Sequence, residues 1–270
     1  MPVSDSTDPR LADYANLTDA QLQNLERVGG RGVFIAEGEL VVRQLLSSPC
    51  TTRSVLLTEG ALARLVDTLA TLPAETPVYL ASEAVLAGVV GFNFHRGVVA
   101  CGERPPEPPL DAVLATARAL VVLEDLSNHD NVGGIFRNVA ALAGRRTAVL
   151  LSPGTCDPLY RKALRVSIGQ ALHIPFRRLA EWTHDLDRLR AAGFTLLALT
   201  PDPGAVDLGT LEARGIHRPA LLLGAEGPGL TPAAFAKADL RVRIPIAPGV
   251  DSLNVSVAAA VALSRLTRPE

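Results

Sequence analysis

The sequence predicts an α/β protein of two domains, a small α/β domain followed by a larger domain built on a parallel sheet. Three observations lead to this prediction. Short apolar runs typical of buried strands alternate with helical patterns along most of the chain. Its 270 residues are enough to bury two separate cores. Residues 103–110 hold four prolines, which neither continue a helix nor pair in a central strand, so we expect a linker there.

The first domain is expected to span residues 19–102, after a loose polar tail over residues 1–18. Within it, β-like runs alternate with helix-like runs. The predicted strands cover residues 33–36, 54–58, 78–81 and 97–101, and the predicted helices cover residues 39–46, 61–72 and 82–87.

The second domain is expected to span residues 111–270, with a doubly wound parallel sheet. Its predicted strands cover residues 119–123, 148–151, 194–200, 219–224 and 242–246, and its predicted helices cover residues 132–143, 158–170, 180–192, 232–236 and 253–266. Ligands of such sheets bind beyond the carboxyl ends of the strands. The loops after Leu123, Thr200, Leu223 and Ile246 are therefore the candidate site.

Composition excludes several classes of protein. Hydrophobic residues make up 48% and charged residues 20% of the chain, as in a folded globular protein. No apolar run reaches bilayer length and the N-terminus lacks a secretory pattern, so we expect a cytoplasmic protein without membrane contact. The three cysteines are widely spaced, and no His, Cys or carboxylate cluster has metal-ligand spacing. We therefore expect no disulfide framework and no metal.

Charge is distributed unevenly along a chain whose net charge is only −2. Between residues 137 and 178 there are eight basic residues and one acidic residue, Asp157. Such an excess can form a phosphate-binding face. An ordinary solvated surface explains it equally well.

The loop after the first strand of the second domain carries Asn131, Gly133 and Gly134, and Arg137 follows six residues after the asparagine. Asn131 is expected to cap the helix, and the glycines allow another chain segment to approach the helix start. Arg137 lies off the predicted apolar stripe of this helix. A capping asparagine and a solvated arginine are the simpler interpretation.

Glu226 stands among Gly224, Gly227 and Gly229, after the fourth predicted strand. Glycines weaken regular structure, so packing explains them poorly; a backbone brought close to a ligand explains them better. The spacing is not that of a dinucleotide-binding fingerprint.

The third loop leads into the last helix and contains Ile244, Ile246, Ser252, Leu253 and Asn254. Ser252 is expected to cap that helix, whose first turn offers unpaired N–H groups. Asn254 is expected to face the same cavity. For Ser252 alone, an ordinary cap is an equally good interpretation.

Together the three loops resemble the signature motifs of the SpoU, or TrmH, family of RNA ribose 2′-O-methyltransferases in the SPOUT superfamily. The pattern N-x-G-x-I-x-R runs from Asn131 to Arg137, G-x-E-x-x-G from Gly224 to Gly229, and I-P followed by S-L-N-V-S from Ile244 to Ser256. Residues 157–162 and 165–169 also look like a family segment. Residues 34–38 and 95–100 resemble the ends of an L30e-like RNA-binding module, with Arg96 where glutamine is usual.

The resemblance implies a SPOUT domain with a C-terminal trefoil knot, S-adenosylmethionine as cofactor, a homodimer, and ribosomal RNA as substrate, with transfer RNA as the alternative. It implies a catalytic Arg137, with the nucleotide oriented by Asn131, Glu226, Ser252 and Asn254. Five residues are expected to bind the cofactor: Gly224, Ile244, Leu253, Thr200 and Ile246. Another five are expected to bind RNA: Arg161, Lys162, Arg165, His95 and Arg96.

The apolar pattern of the predicted last helix also bears on how the protein assembles. The predicted last helix is apolar nearly all round, so it needs cover on more than one side, from a second subunit or from other segments of its own subunit.

Two other functions are alternatives. A non-catalytic RNA-binding or ribosome-associated protein would explain the basic cluster but not Glu226 among glycines. A dehydrogenase would need a phosphate-binding glycine loop after the first strand of the second domain, and the loop there is different.

Overall fold

The computed structural model describes residues 1–15, 32–91, 96–211 and 215–268. These form two compact units. Unit 1 comprises Met1–Pro106 and Leu159–Leu172, and unit 2 comprises Glu107–Pro158 and His173–Glu270.

Strands of the described chain fall into one sheet in each unit. In unit 1 they are β1 (Pro2–Val3), β2 (Val33–Glu37), β3 (Thr52–Leu57), β4 (Val78–Ala81) and β5 (Val98–Glu103). In unit 2 they are β6 (Ala119–Leu123), β7 (Thr147–Leu151), β8 (Phe176–Arg178), β9 (Thr195–Leu199), β10 (Val206–Asp207), β11 (Pro219–Leu223) and β12 (Leu240–Arg243).

Helices flank both sheets. They are α1 (Glu39–Ser47), α2 (Glu59–Leu69), α3 (Glu83–Val90), α4 (Leu110–Thr116), α5 (His129–Leu142), α6 (Arg161–Val166), α7 (Trp182–Ala191), α8 (Pro232–Lys237) and α9 (Val255–Leu266). Of these, α1, α2, α3 and α6 belong to unit 1.

Unit 1 is a small α/β domain around a mixed sheet of order β1-β4-β3-β5-β2. Strand β5 is antiparallel to β2 and β3, whereas β4 is parallel to β3 and β1. Thr58 and Ser82 cap α2 and α3 with their hydroxyl groups, as these residue types do at helix starts. The likeness to an L30e module remains a prediction.

The prediction of a loose N-terminal tail is wrong for residues 1–15. Pro2 and Val3 pair with Leu80 and Ala81 of β4, and a short 3-10 helix follows at Pro9–Tyr14. Leu11 and Tyr14 are buried, and the Tyr14 and Ser54 hydroxyl groups lie 2.6 Å apart in a hydrogen bond. Burial raises the pKa of Tyr14 well above its usual value. The segment is therefore part of the unit 1 core; residues 16–18 lie outside the described residues.

The predicted domain boundaries also need correction. The expected linker is shorter than residues 103–110, because Glu103 ends β5 and Leu110 begins α4. Residues 159–172, which we placed in the second domain, pack in unit 1, where α6 contacts β2. The expected helix over residues 158–170 is only six residues long, and Ile168 and Gly169 after it have positive φ angles of 51° and 74°.

Unit 2 has a seven-stranded sheet of order β10-β12-β9-β11-β6-β7-β8, in which every described pair is parallel. Alternate side chains of its strands face opposite layers. One face, including Leu120, Leu150 and Leu222, packs with α4, α7 and α8. Helix α9 packs against α5 and β11. The parallel sheet is confirmed, and the trefoil knot remains a prediction.

Candidate functional site

An open cavity of about 460 Å³ lies where β9, β11 and β12 end. These three strands are neighbours in the sheet, so parallel pairing brings the loops after their carboxyl ends together. The cavity is lined by all five residues predicted to hold the cofactor: Thr200, Gly224, Ile244, Ile246 and Leu253. Glu226, Ser252 and Asn254 line it as well.

The glycine loop after β11 folds back on itself. Gly229 N–H donates to the Ala225 carbonyl over 2.9 Å, and Gly227 and Gly229 adopt φ angles of 87° and 72° that favour glycine. A side chain at Gly224 would meet the backbone carbonyl carbon of Gly229 at 2.1 Å. Chain geometry alone therefore requires glycine at position 224, before any ligand is considered.

A hydrogen-bonded chain joins this loop to two helices. The amide nitrogen of Asn131, on α5, donates to the Glu226 carboxylate. The Asn131 amide oxygen accepts from the Asn254 side chain over 2.9 Å. Asn131 is 5% exposed, and Glu226 and Asn254 reach the cavity wall. The asparagine thus fixes the relative positions of the glycine loop and the start of α9.

Two predicted helix caps are wrong. Asn128, not Asn131, caps α5, and its side chain accepts from Asp130 N–H over 2.9 Å. Asn254, not Ser252, caps α9, and it accepts from the N–H groups of Ser256 and Val257. Each helix starts at a different residue than expected. As a result, Asn131 is free to bind Glu226, and Ser252 lies in the loop that lines the cavity.

Arg137 lies on α5 and is exposed, and it does not line the cavity. Its guanidinium group forms no ion pair with any residue in the described parts of the chain. The Arg137 guanidinium group is therefore accessible to a ligand that arrives from solvent. It forms no hydrogen bond with Asn131 or Glu226.

The residues predicted to bind RNA lie elsewhere. Arg161, Lys162 and Arg165 are on α6 in unit 1, and Arg96 precedes β5 in the same unit. Arg96, Arg161 and Arg165 come within 4 Å of one carboxylate, Glu37. His95 lies outside the described residues.

Sequence analysis missed Asn138. Its side chain donates to the Ser256 carbonyl over 2.8 Å, and so ties α5 to the first turn of α9. Gly134 allows this contact, because a Cβ there would lie 3.1 Å from the Ser256 side chain. Asp251, Val255 and Ala258 also line the cavity. Asn138 directly follows the first motif, and the other three residues lie within or beside the third, which was the available signal.

Two of the cysteines, Cys50 and Cys156, have thiols that burial makes less acidic. Burial raises the pKa of the Cys156 thiol to about 12 and also raises that of Cys50. A thiol in that state is a poor nucleophile, because the thiolate is the reactive form.

Comparison with known proteins identifies the family. Residues 118–264, more than half of the chain, match the SpoU rRNA Methylase family. The chain is a member of this family. It is 46% identical over 267 residues to an uncharacterized tRNA/rRNA methyltransferase of Mycobacterium tuberculosis, covering 98% of this chain and 91% of the relative.

Two further relatives extend the comparison. The 23S rRNA (guanosine(2553)-2′-O)-methyltransferase of Bacillus subtilis is 30% identical over 235 residues, 86% of this chain and 88% of that protein. An AdoMet-bound rRNA methyltransferase of Sinorhizobium meliloti shares the fold, with a TM-score of 0.79, 24% identity, and coverage of 98% and 97% of the two chains. As a SpoU-family protein, this chain is an RNA methyltransferase.

Two features are absent from the described residues of this SpoU-family enzyme. These residues contain no group of three or more His, Cys, Asp or Glu side chains arranged to hold a metal ion. Within the same ranges, no helix combines the length and apolar character needed to cross a bilayer.

Proposed function

We propose that this enzyme methylates a ribose 2′-hydroxyl of ribosomal RNA, with S-adenosylmethionine as methyl donor. The single observation that carries the proposal is the cavity at the ends of β9, β11 and β12, which the three family motifs line or adjoin. The names of the Bacillus subtilis and Sinorhizobium meliloti relatives support the reaction and the donor.

The cavity fits this donor in size and chemistry. Its volume of about 460 Å³ lies within the range of small-molecule pockets, about 300–1,000 Å³. Ile244, Ile246 and Leu253 offer apolar surface, and the glycine loop exposes backbone groups that can read a nucleoside where no side chain intrudes. Glu226 contributes a carboxylate suited to a ligand with cationic groups.

S-adenosylmethionine supplies a methyl group on a positively charged sulfur, so the ribose oxygen displaces a neutral thioether in line. The residues of this chain must align that oxygen and allow its proton to leave. In our proposal, Glu226 and Asn254 present polar groups to one side of the cavity in a fixed orientation, because Asn131 is hydrogen-bonded to both.

Arg137 is proposed to place the substrate. A guanidinium group stays protonated at all physiological pH values, so it does not take the hydroxyl proton. Its planar donors suit a bidentate grip on the phosphate next to the target ribose. An exposed position on α5 agrees with a partner that comes from outside the unit.

The proposal is tested with the full chain in two measurements. Isothermal titration should show S-adenosylmethionine binding and no NAD binding. Ribosomal RNA incubated with the enzyme and labelled donor should then yield label on a 2′-O-methylated nucleoside after digestion. Absence of donor binding would exclude the function, whereas label on a base would exclude the ribose as target.

A further inference from the structure

A buried carboxylate in unit 2 belongs to Glu124, which directly follows β6 and is 3% exposed. Its Oε1 accepts hydrogen bonds from the Trp182 Nε1 and from the Thr231 hydroxyl group, each over 2.7 Å. Its Oε2 accepts from the Thr231 main-chain N–H over 2.8 Å. All three donors are neutral. Burial of a charge is costly, so the bonds made by its two oxygens must compensate for it.

Glutamine, which is almost the same size, does not offer the bonds of Glu124. A carboxylate accepts at both oxygens, whereas a primary amide has one accepting oxygen and an NH₂ group that only donates. With the amide oxygen in the place of Oε1, the NH₂ group would face the Thr231 N–H, and two donors would meet. Both oxygens of Glu124 are therefore needed to hold the backbone of Thr231 together with the other two donors.

Glu124 contacts both ends of the glycine loop, residues 224–230. Its main-chain N–H donates to the carbonyl of Leu223, the last residue of β11, over 2.8 Å. Its carboxylate holds Thr231, which follows the loop and caps α8. One residue at the end of the neighbouring strand therefore fixes the points where the loop begins and ends.

The composition of the glycine loop makes such an anchor useful. Glycine has more backbone freedom than any other residue, so ordering a segment with three glycines carries a large entropic cost. The hydrogen bond from Asn131 to Glu226 restrains the middle of the loop. Glu124 restrains its two ends.

We propose that Glu124 is a positioning residue for binding of the methyl donor, which it serves by keeping the glycine loop in the conformation that borders the cavity. Gly224, Glu226 and Gly229 of this loop line the cavity and Glu124 does not, so it acts on the donor only through the loop. The donor rests on the proposed function; the hold on the loop rests on the hydrogen bonds of Glu124. A loop that is ordered before the ligand arrives spares the ligand the cost of ordering it.

Trp182 provides a matched control. Its Nε1–H reaches the same carboxylate from the first residue of α7, and its side chain packs against the core on one face of the sheet. Trp182→Phe removes one of the three donors but leaves both bonds between Glu124 and Thr231. Comparison with Glu124→Gln therefore separates loss of the loop anchor from a general disturbance around the carboxylate.

The first test measures donor binding and turnover of the full chain with protein-free ribosomal RNA. Glu124→Gln should weaken S-adenosylmethionine binding about tenfold, as loss of a hydrogen bond to a charged group does, and raise the KM for the donor by the same factor. Its kcat at saturating donor and its KM for RNA should stay close to those of the wild type, because bound donor orders the loop again. Trp182→Phe should keep the donor affinity of the wild type.

Hydrogen exchange of the loop amides gives a second readout, which needs no donor. In Glu124→Gln the amides of residues 224–231 should exchange faster than in the wild type, because the end of the loop opens more often. In Trp182→Phe they should exchange as in the wild type. A wild type that fails to bind the donor would contradict the proposed function, and this comparison would still decide whether Glu124 holds the loop.

Two results would overturn the proposal. One is a Glu124→Gln variant with the loop exchange and the donor KM of the wild type, and the other is an equal change in Glu124→Gln and Trp182→Phe. If Glu124→Gln does not fold, as judged by circular dichroism, Thr231→Val replaces it, since this change removes the hydroxyl donor and keeps the backbone N–H. Thr231→Val should show a smaller change in the same direction, and wild-type loop exchange in this variant would then overturn the proposal.

Discussion

At the scale of single residues, the structure shows that a substitution of Gly224 is a poor test of the cofactor cavity. Gly224 is the obvious target from sequence, since it stands in a glycine-rich motif. A side chain there would meet the Gly229 and Leu230 backbone at little more than 2 Å, so the loop itself would move. Loss of binding in such a variant would not separate a blocked cavity from a misfolded loop.

Leu253 gives a cleaner test of the cavity. It is 36% exposed and lines the cavity, so Leu253→Ala removes apolar contact without disturbing a core. We expect the affinity for S-adenosylmethionine to fall about tenfold, equivalent to about 1.4 kcal/mol. Isothermal titration measures it. Val250→Ala in the same loop, 51% exposed and outside the cavity lining, should bind as the wild type does; equal affinities of the two variants would contradict the assignment.

Arg137 should matter for turnover and not for donor binding. Arg137→Ala should keep the wild-type affinity for S-adenosylmethionine and lose at least about 100-fold in methyl transfer, because the target oxygen is no longer aligned. Arg137→Lys should fail as well, since a point charge does not replace a planar fork. Arg145→Ala, another exposed arginine just after α5, is the control for general charge loss. Full activity of Arg137→Ala would remove the residue from the mechanism.

At the scale of elements, the Asn131 side-chain amide connects the glycine loop to α9 through hydrogen bonds to Glu226 and Asn254. Asn131→Asp would place a second carboxylate against Glu226 at a site only 5% exposed. Because Glu226 itself is exposed and solvent screens the repulsion, we expect a loss of about 1–3 kcal/mol in the free energy of unfolding, mainly from the lost buried donor. Urea denaturation measures the change.

Asn128→Asp is the matched control for this prediction. Asn128 is exposed and caps α5 with its side-chain oxygen, and aspartate caps a helix start as well as asparagine does. Its free energy of unfolding should stay close to that of the wild type. If Asn128→Asp lost as much free energy of unfolding as Asn131→Asp, any new charge near the start of α5 would be destabilising. The effect would then not depend on Glu226.

Elements were predictable where one stretch of sequence determines them. Strands β6, β7, β9 and β11 are mainly apolar runs, as buried parallel strands are, and their parallel pairing followed from the alternation with helices. Strand β8, with two arginines in three residues, and the two-residue β10 carry no such signal. The cavity was predictable too, because parallel strands deliver their following loops to one edge.

Contacts between distant residues were not predictable in the same way. Asn131 looks like a cap by itself, and its true role depends on Glu226 and Asn254, which are 95 and 123 residues away. Tyr14 lies in a polar segment, and its hydroxyl group is hydrogen-bonded to that of Ser54, which is 40 residues away. The meeting of α6 with Glu37 likewise joins residues more than a hundred positions apart, which no local periodicity reveals.

At the scale of the whole molecule, α9 raises the question of assembly. Within unit 2 the helix buries Ala258, Ala259, Ala262 and Leu263, where it packs against α5 and β11. Val257, on the same helix, remains 49% exposed. Burial of this side chain in a pair of subunits would remove nonpolar area from water. We propose that the enzyme works as a homodimer that pairs through α9.

The dimer is tested by light scattering at micromolar concentration, where the wild type should show twice the 28.4 kDa mass of one chain. Val257→Arg should shift the mass toward the monomer, because a charge buried in an apolar interface is costly. Val66→Arg is the control, since Val66 is 57% exposed on α2 in unit 1, and its dimer should persist. A wild-type sample that has the monomer mass and still methylates RNA would eliminate the dimer as the working unit, since a two-fold pair that catalysis requires must be present whenever activity is.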